Sequence, residues 1–566
     1  MRDRIGAYWP ILVALIALWV TMTMLTLSSL QQTRGHLIYA LDDAYIHMAM
    51  AKNIVQHGVY GVTKYEFSSS SSSPVWTLLL ASFYVVFGIH EWIPFVLNML
   101  FASTILIAIY LILQRASLNT VLSFITLLAV AFFTPFPAMI FCGMEHLLHI
   151  LLTIVCVWYL TMMIVKSDSK ESNAHFTMLC VLFAGMVMTR FESYSLLFAG
   201  CLLLLVRKKW KHSLVLALAE ILPLLLYQYI SVSKGWFWLP NSILIRADAS
   251  QGEVFNSQQA VVINPIFTGL SGFFSEGLSN FNYTPHVSVL IIISCALLVV
   301  GWVLSKSLWT TGNVSIVLFV LAALAHLQFG KIGHFFRYEA YLVTLGLFVI
   351  AYAFSEIIRL ETPWKQRFRI GIVISVIMLY FSVQGLRPLL GRSRNSFEQI
   401  PLACRNIYEQ QYQMGLFLQY FYSESTAAVN DIGAVSFLGD VHMLDLVGLA
   451  SVDVLKLKKE GRYTTEQIFQ LSKMKDVDLA IVYDTWFQAE NLHGVPPEWI
   501  KVGEWTIEHN VVCGGDVVSF YAVKASEKER LMNNLRLFSY MLPISVGQFG
   551  LYTNMNDSSK AVSEPW

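Results

Sequence analysis

Charge is what this sequence has least of. Asp, Glu, Lys and Arg make up 13% of its 566 residues, where a soluble domain carries roughly a quarter. That is too little to clothe a water-soluble surface of this size, so a soluble multidomain enzyme is excluded. The charges present nearly cancel, to +1, so no global field draws nucleic acid. Metal-ligand spacing is also missing. The 7 cysteines include no Cys-x-x-Cys pair and no His/Cys cluster, which argues against a zinc centre. Cys142, Cys156, Cys180, Cys201 and Cys295 fall in or beside apolar runs and read as small buried hydrophobes. His146 and His149 stand at i, i+3 but lack further ligands. No solenoid-type repeat is present. The first apolar run follows Arg2 and Arg4 without a small-residue cleavage site, so it reads as a retained helix rather than a signal peptide.

What is abundant is apolar. Hydrophobic residues reach 56% and aromatics 14%, with mean hydropathy +0.58. The fold class expected is a mainly α polytopic membrane protein of about 11–13 transmembrane helices with a C-terminal α/β domain. Apolar segments lie near 9–30, 92–113, 120–141, 146–165, 176–190, 193–206, 213–231, 287–304, 313–329, 338–354 and 368–386, with a shorter one at 75–88. Basic residues at Arg2/Arg4, Arg115, Lys166/Lys170, 207–209, Lys306 and 365–369 flank them. The positive-inside rule assigns these turns to the cytoplasm. Parity then holds if 75–88 is a partial or re-entrant helix. On this reading residues 1–386 form the membrane module, with outer loops 31–74 and 233–286. Residues 387–526 form an extracytoplasmic domain and 527–566 a tail.

The C-terminal part changes character. Val429–Val435, 443–448 and 478–483 alternate β-type runs with turn residues. Residues 464–474 read as a helix capped by Thr464 or Thr465, and 511–523 as a hairpin about Gly514-Gly515. Cys404 and Cys513 lie in this disulfide-permissive compartment, so a bridge and two separate thiols are both open. The stretch 535–551 is apolar enough to lie on the membrane or to pack on the domain. The serine run 68–73 reads as a flexible loop.

One local feature points to chemistry. Asp42 and Asp43 stand about a dozen residues past the first span, opening a segment in which Ala44, Met48, Ala51 and Val55 share a stripe before Gly58. That spacing predicts an amphipathic helix lying on the outer surface. An acid there can be an N-cap; two adjacent acids at a membrane boundary also suit catalysis or a cation.

The motif Asp42-Asp43-Ala44-Tyr45-Ile46, followed by Ala51-Lys52-Asn53, Gly58 and Ser72-Ser73-Pro74-Val75-Trp76, resembles the first outer loop of GT-C glycosyltransferases. The likeness is nearest to the bacterial branch with cell-wall arabinofuranosyltransferases. Gly143-Met144-Glu145, Thr189-Arg190-Phe191-Glu192, Leu239-Pro240-Asn241-Ser242 with Arg246, Phe336-Arg337-Tyr338 and Asn430-Asp431-Ile432-Gly433-Ala434 continue it in order. Phe191 stands where that branch has Pro, and Arg246 where it has Lys.

The resemblance implies an integral-membrane enzyme that moves one sugar from a polyprenyl-phosphate donor to a glycan, glycolipid or protein acceptor, usually with inversion. It implies the extracytoplasmic face of a bacterial inner membrane. Asp42 is then the first choice as general base and Asp43 the alternative or helper. Arg246 and Arg337, aided by Lys331 and His334, suit the donor phosphate. Tyr45, Trp76, Glu145, Arg190, Glu192 and Asn241 are candidates to contact substrate. Glu145, Arg190 and Glu192 fit a structural ion pair equally well, and Tyr45 and Trp76 an aromatic belt. The resemblance fixes no cofactor and leaves a divalent cation at Asp42/Asp43 open. The alternative is a transporter or flippase of lipid-linked sugars, which calls for inverted repeats and charges at mid-bilayer depth.

Overall fold

The computed structural model describes residues 2–165, 172–241, 244, 275–360, 371–372, 375–376, 379–488 and 492–553. Among the described residues, seven helices are long and apolar enough to cross a bilayer: Tyr8–Gln32, Ile93–Arg115, His146–Val165, Trp210–Ser233, Pro285–Ser305, Thr311–Phe329 and Ala340–Arg359. Four shorter apolar helices accompany them, Pro74–Phe87, Thr120–Phe133, Ala174–Thr189 and Phe191–Val206. Pro74–Phe87 has 14 residues, about 21 Å of helix, short of the roughly 30 Å hydrocarbon core. The expected single helix over 120–141 is two, Thr120–Phe133 and Phe136–Phe141. Pro135 and Pro137 explain the break, since neither can donate to the preceding turn. The last expected span, 368–386, lies partly outside the described residues.

Three local expectations change. The serine run is ordered, and its hydroxyls are partnered. Ser69 meets Tyr227, Ser70 donates to the Leu449 carbonyl, Ser71 meets Thr77, and Ser73 accepts from the Trp76 N–H to cap Pro74–Phe87. The helix after the acid pair, Asp43–His57, is not a surface helix. Residues 44–51 and Asn53 are all buried, because the helix lies between Pro74–Phe87 on one side and the short helix Gly433–Leu438 of the C-terminal domain on the other. Helix Leu386–Ile407 runs across the ends of other helices: Arg392 donates to the Phe336 carbonyl and Phe397 packs on Phe132.

The C-terminal domain holds one six-stranded sheet of order β2-β1-β3-β5-β4-β6. Its strands are β1 (Thr426–Val429), β2 (His442–Asp445), β3 (Leu479–Val482), β4 (Ile500–Thr506), β5 (Val517–Ala522) and β6 (Gly547–Gly550). β2, β1 and β3 are parallel, and β5, β4 and β6 antiparallel. The expected hairpin is displaced: β5 pairs with β4, so the turn spans 507–516 rather than Gly514-Gly515 alone. The domain also runs past 526, since helix Lys528–Phe538 and β6 complete it. Phe417 packs edge-on against Trp505, Phe520 and Phe538 at its centre. Helix Thr465–Met474 forms as expected, with the Thr464 hydroxyl accepting from Gln467 N–H. Cys404 and Cys513 are separate thiols. Cys404 is buried, and Cys513 donates to Gln411 Oε1.

Candidate functional site

Helix Asp43–His57 presents its N-terminal end to two different surroundings. Asp42, with φ −63°, is already helical and caps nothing through its side chain. Its carboxylate reaches across to the C-terminal domain, accepting from Gly433 N–H at 2.7 Å and Ala434 N–H at 2.8 Å. A Cβ on Gly433 would stand 2.1 Å from the Asp42 carbonyl oxygen, so only glycine admits this approach. Asp431 lies beside the pair. Burial, and then repulsion from Asp431 when both are ionised, push Asp42 upward, against the pull of the two N–H donors. Burial likewise raises Asp431. Tyr483 Oη lies 2.7 Å from both Asp431 Oδ2 and Gln410 Oε1, yet it has one hydrogen to give. A proton on Asp431 completes the set: Asp431 donates to Tyr483, and Tyr483 to Gln410.

Asp43 faces the opposite way. Its Oδ2 is 2.7 Å from Arg337 Nη2, and its side chain is 40% exposed while that of Arg337 is 1% exposed. Arg337 Nη1 lies 2.7 Å from Met144 Sδ and its guanidinium stands 5.2 Å from the Tyr338 ring centre. Burial opposes the Arg337 charge, and the Asp43 carboxylate more than offsets it. On the other side of Tyr338 sits Arg190, 5.5 Å from the same ring. It bridges Glu145 Oε1 at 2.9 Å and Glu192 Oε1 at 2.5 Å. Arg190 has an extended backbone, φ −152°, between Ser172–Thr189 and the turn Phe191–Ser193, and that break turns its side chain inward.

His47, one turn after Asp43 and on the same face, closes the cluster. Its Nδ1 is 3.0 Å from Thr77 Oγ1 and its Nε2 is 3.7 Å from Glu145 Oε2. Burial holds His47 below its ordinary value, against the raising pull of Glu145 and Asp43. Two buried polar atoms here have no hydrogen-bond partner, Glu145 Oε2 and Arg337 Nε. An acceptor and a donor left bare in one buried cluster suit a polar ligand.

Arg337 is carried by a strained loop. His334, Phe335 and Phe336 all have positive φ, 45°, 55° and 65°, a conformation that disfavours side chains. The loop is clamped by Arg392, which binds Glu339 Oε1 at 2.5 Å and the Phe336 carbonyl. Glu339 also takes Gly333 N–H at 2.9 Å and lies 3.1 Å from His286 Nε2. Burial alone would raise Glu339; Arg392 and His286 outweigh it and hold it well below the carboxylate range.

Of the residues singled out by sequence, Asp43, Glu145, Arg190, Glu192 and Arg337 are brought together. Tyr45 and Trp76 are fully buried core residues; Tyr45 packs on Tyr39, Tyr412 and Phe437, and Trp76 on Phe101. They offer no face to a sugar. Asn241 is a tie between modules, its Nδ2 3.1 Å from the carbonyls of Gly448 and Leu449. Lys331 and His334 are exposed on the strained loop, His334 with its ring 5.7 Å from Tyr338. Arg246 lies outside the described residues. At the acid pair, the Asp42 carboxylate accepts from Gly433 and Ala434 N–H and Asp43 Oδ2 meets Arg337, contacts that a cation at the pair would have to share. Among the described residues no group of three or more His, Cys, Asp or Glu is arranged for a metal. Sequence reasoning missed His47, Glu339 and Arg392, and quoted Asp431 within a motif without giving it a role. The i, i+4 spacing of Asp43 and His47 was the one available signal.

The family model described as Domain of unknown function (DUF8728) matches residues 405–521. No curated protein matches the sequence. In structure the chain is similar to ArnT from Cupriavidus metallidurans bound to undecaprenyl phosphate, at 11% identity over 91% of this chain and 98% of that chain, with a TM-score of 0.51. It also aligns with the oligosaccharyltransferase of Archaeoglobus fulgidus, at 9% identity over 94% and 75% of the two chains, with a TM-score of 0.44. The architecture shared with ArnT is the GT-C fold: a membrane helical module carrying a C-terminal domain with a small sheet.

Proposed function

We propose that this chain is a membrane glycosyltransferase that moves a sugar from a polyprenyl-phosphate carrier to an acceptor hydroxyl, with Asp43 as general base. The observation that carries the reading is the Asp43–Arg337 pair, in which the carboxylate is open to solvent and the guanidinium is buried with Nε unpartnered. The shared fold supports it, since ArnT was solved with undecaprenyl phosphate. Asp43 takes the proton of the acceptor hydroxyl as its oxygen attacks the anomeric carbon. The bond from that carbon to the phosphate oxygen breaks in the same displacement, which inverts the centre. Arg337 receives the charge that develops on the leaving phosphate, and Glu145 Oε2 with His47 faces the sugar hydroxyls. Asp42 is reassigned from base to clasp, its oxygens being taken by Gly433 and Ala434. The site then lies on the extracytoplasmic face of a bacterial inner membrane, and the motif run favours the cell-wall arabinofuranosyltransferase branch.

The test is transfer of labelled sugar from a polyprenyl-phosphate donor by purified protein. Asp43→Asn is expected to lower turnover about 10²–10⁴-fold, and to bind polyprenyl phosphate more tightly because Arg337 loses its counter-ion. Turnover by Asp43→Asn at the wild-type rate sinks the assignment. A transporter is the second reading. Glu220, buried within Trp210–Ser233 with both oxygens unpartnered, is the kind of group it needs. Flipping of labelled lipid without transfer would favour it.

A further inference from the structure

The stretch 535–551 divides into two faces. Leu535, Phe538, Leu542 and Val546 are buried in the core under the sheet. Leu537, Tyr540, Met541 and Ile544 point into open space, with Tyr540 85% and Ile544 96% exposed. The segment that presents them is fixed in place. Met541 N–H donates to Phe538 O at 2.8 Å and Val546 N–H to Pro543 O at 3.0 Å. The Ser545 hydroxyl donates to Glu409.

That last contact sets the height of the patch. Glu409 adjoins Tyr408, whose ring stacks on His36 at 5.6 Å. His36 follows closely on the end of helix Arg2–Gln32. The apolar span of that helix has 25 residues, about 37 Å, so it outruns the roughly 30 Å hydrocarbon core and ends among headgroups. Arg34, exposed at the same exit, suits lipid phosphates.

We propose that Leu537, Tyr540, Met541 and Ile544 enter the leaflet on the side of the C-terminal domain, a second membrane attachment that holds the domain against helix Asp43–His57. An aliphatic tip beside a tyrosine is the composition of an interfacial anchor. This inference is independent of the chemistry proposed for Asp43.

The experiment uses full-length protein in vesicles of phosphatidylethanolamine and phosphatidylglycerol. Ile544→Cys carries an environment-sensitive fluorophore, with Met474→Cys, 70% exposed on helix Thr465–Met474, as the reference. Wild-type protein labelled in parallel corrects for native thiols. Doxyl groups on the lipid chains are expected to quench the label at 544 several-fold more than at 474, and aqueous iodide several-fold less. Equal quenching at both sites overturns the proposal. So does protection at 544 from both quenchers, which would mean that protein covers the patch: a second copy, a soluble partner, or residues 554–566.

Discussion

At the scale of single residues, two adjacent aspartates with the same neighbours in sequence meet opposite environments. Asp43 lies against a guanidinium and open to solvent, and Asp42 against two backbone N–H groups and a third acid. Asp42 and Asp431 cannot both ionise without repelling at close range in a site of low polarity. The donor count around Tyr483 places the retained proton on Asp431. An acid whose folded-state value is raised binds more protons folded than unfolded, so its contribution to stability declines as pH rises. The window opens at about 4, where aspartate ionises in the unfolded chain, and closes where the buried Asp42–Asp431 pair, raised by desolvation, gives up its shared proton. Asp431→Asn keeps a hydrogen-bond donor for Tyr483 and removes the titration. Its melting temperature should fall less than wild type's between pH 6 and pH 9. An unchanged pH slope would place the proton elsewhere.

At the scale of elements, Arg337 depends on a loop that its own sequence does not favour. Three successive left-handed residues each disfavour the fold by roughly 1–2 kcal/mol, and the Arg392–Glu339 contact holds them there. Arg392→Met leaves the buried Glu339 carboxylate with His286 and the Gly333 N–H alone. Removing one partner of a buried pair typically destabilises by about 3–5 kcal/mol, and a released loop withdraws Arg337 from Asp43. The expected outcome is a lowered melting temperature together with a weaker affinity for polyprenyl phosphate. A variant that melts lower but binds the lipid phosphate as wild type would show that Arg392 matters to the loop without positioning Arg337. This clamp was not legible in the sequence, because Arg392 and Glu339 are more than fifty residues apart. The helices themselves were legible, since an apolar run of spanning length has few alternatives. The break at Arg190 was legible; the one at Pro135 was passed over in a run read as a single helix, and the order of the serine run was hidden because it comes from distant partners, the Tyr227 and Thr77 hydroxyls and the Leu449 carbonyl.

At the scale of the whole molecule, the site lies where two modules meet, and the seam is made by small numbers of directed bonds. Asp42 takes Gly433 and Ala434, Lys52 Nζ donates to the Phe437 carbonyl at 2.6 Å, and Asn241 takes Gly448 and Leu449. Sequence order alone could place the acid pair and the Asn-Asp-Ile-Gly-Ala run in separate domains, but not show that they touch. Helix Asp43–His57 is therefore held from both sides, and Asp43 keeps its position only while the C-terminal domain is docked. Gly433 is the point at which this can be tested with one atom. An added Cβ would meet the Asp42 backbone and carboxylate at 2.1–2.6 Å, so the two chains must separate and both N–H bonds are lost. Hydrogen bonds to a charged group contribute about 1.5–3 kcal/mol each. Gly433→Ala should therefore speed hydrogen exchange at the amides of 433–438 and lower sugar transfer, while the amides of β1 and β3 keep their protection. Unchanged exchange at 433–438 would mean that the seam is not held by Asp42. Loss of protection across the whole sheet would mean that Gly433 serves the domain's own fold rather than its docking.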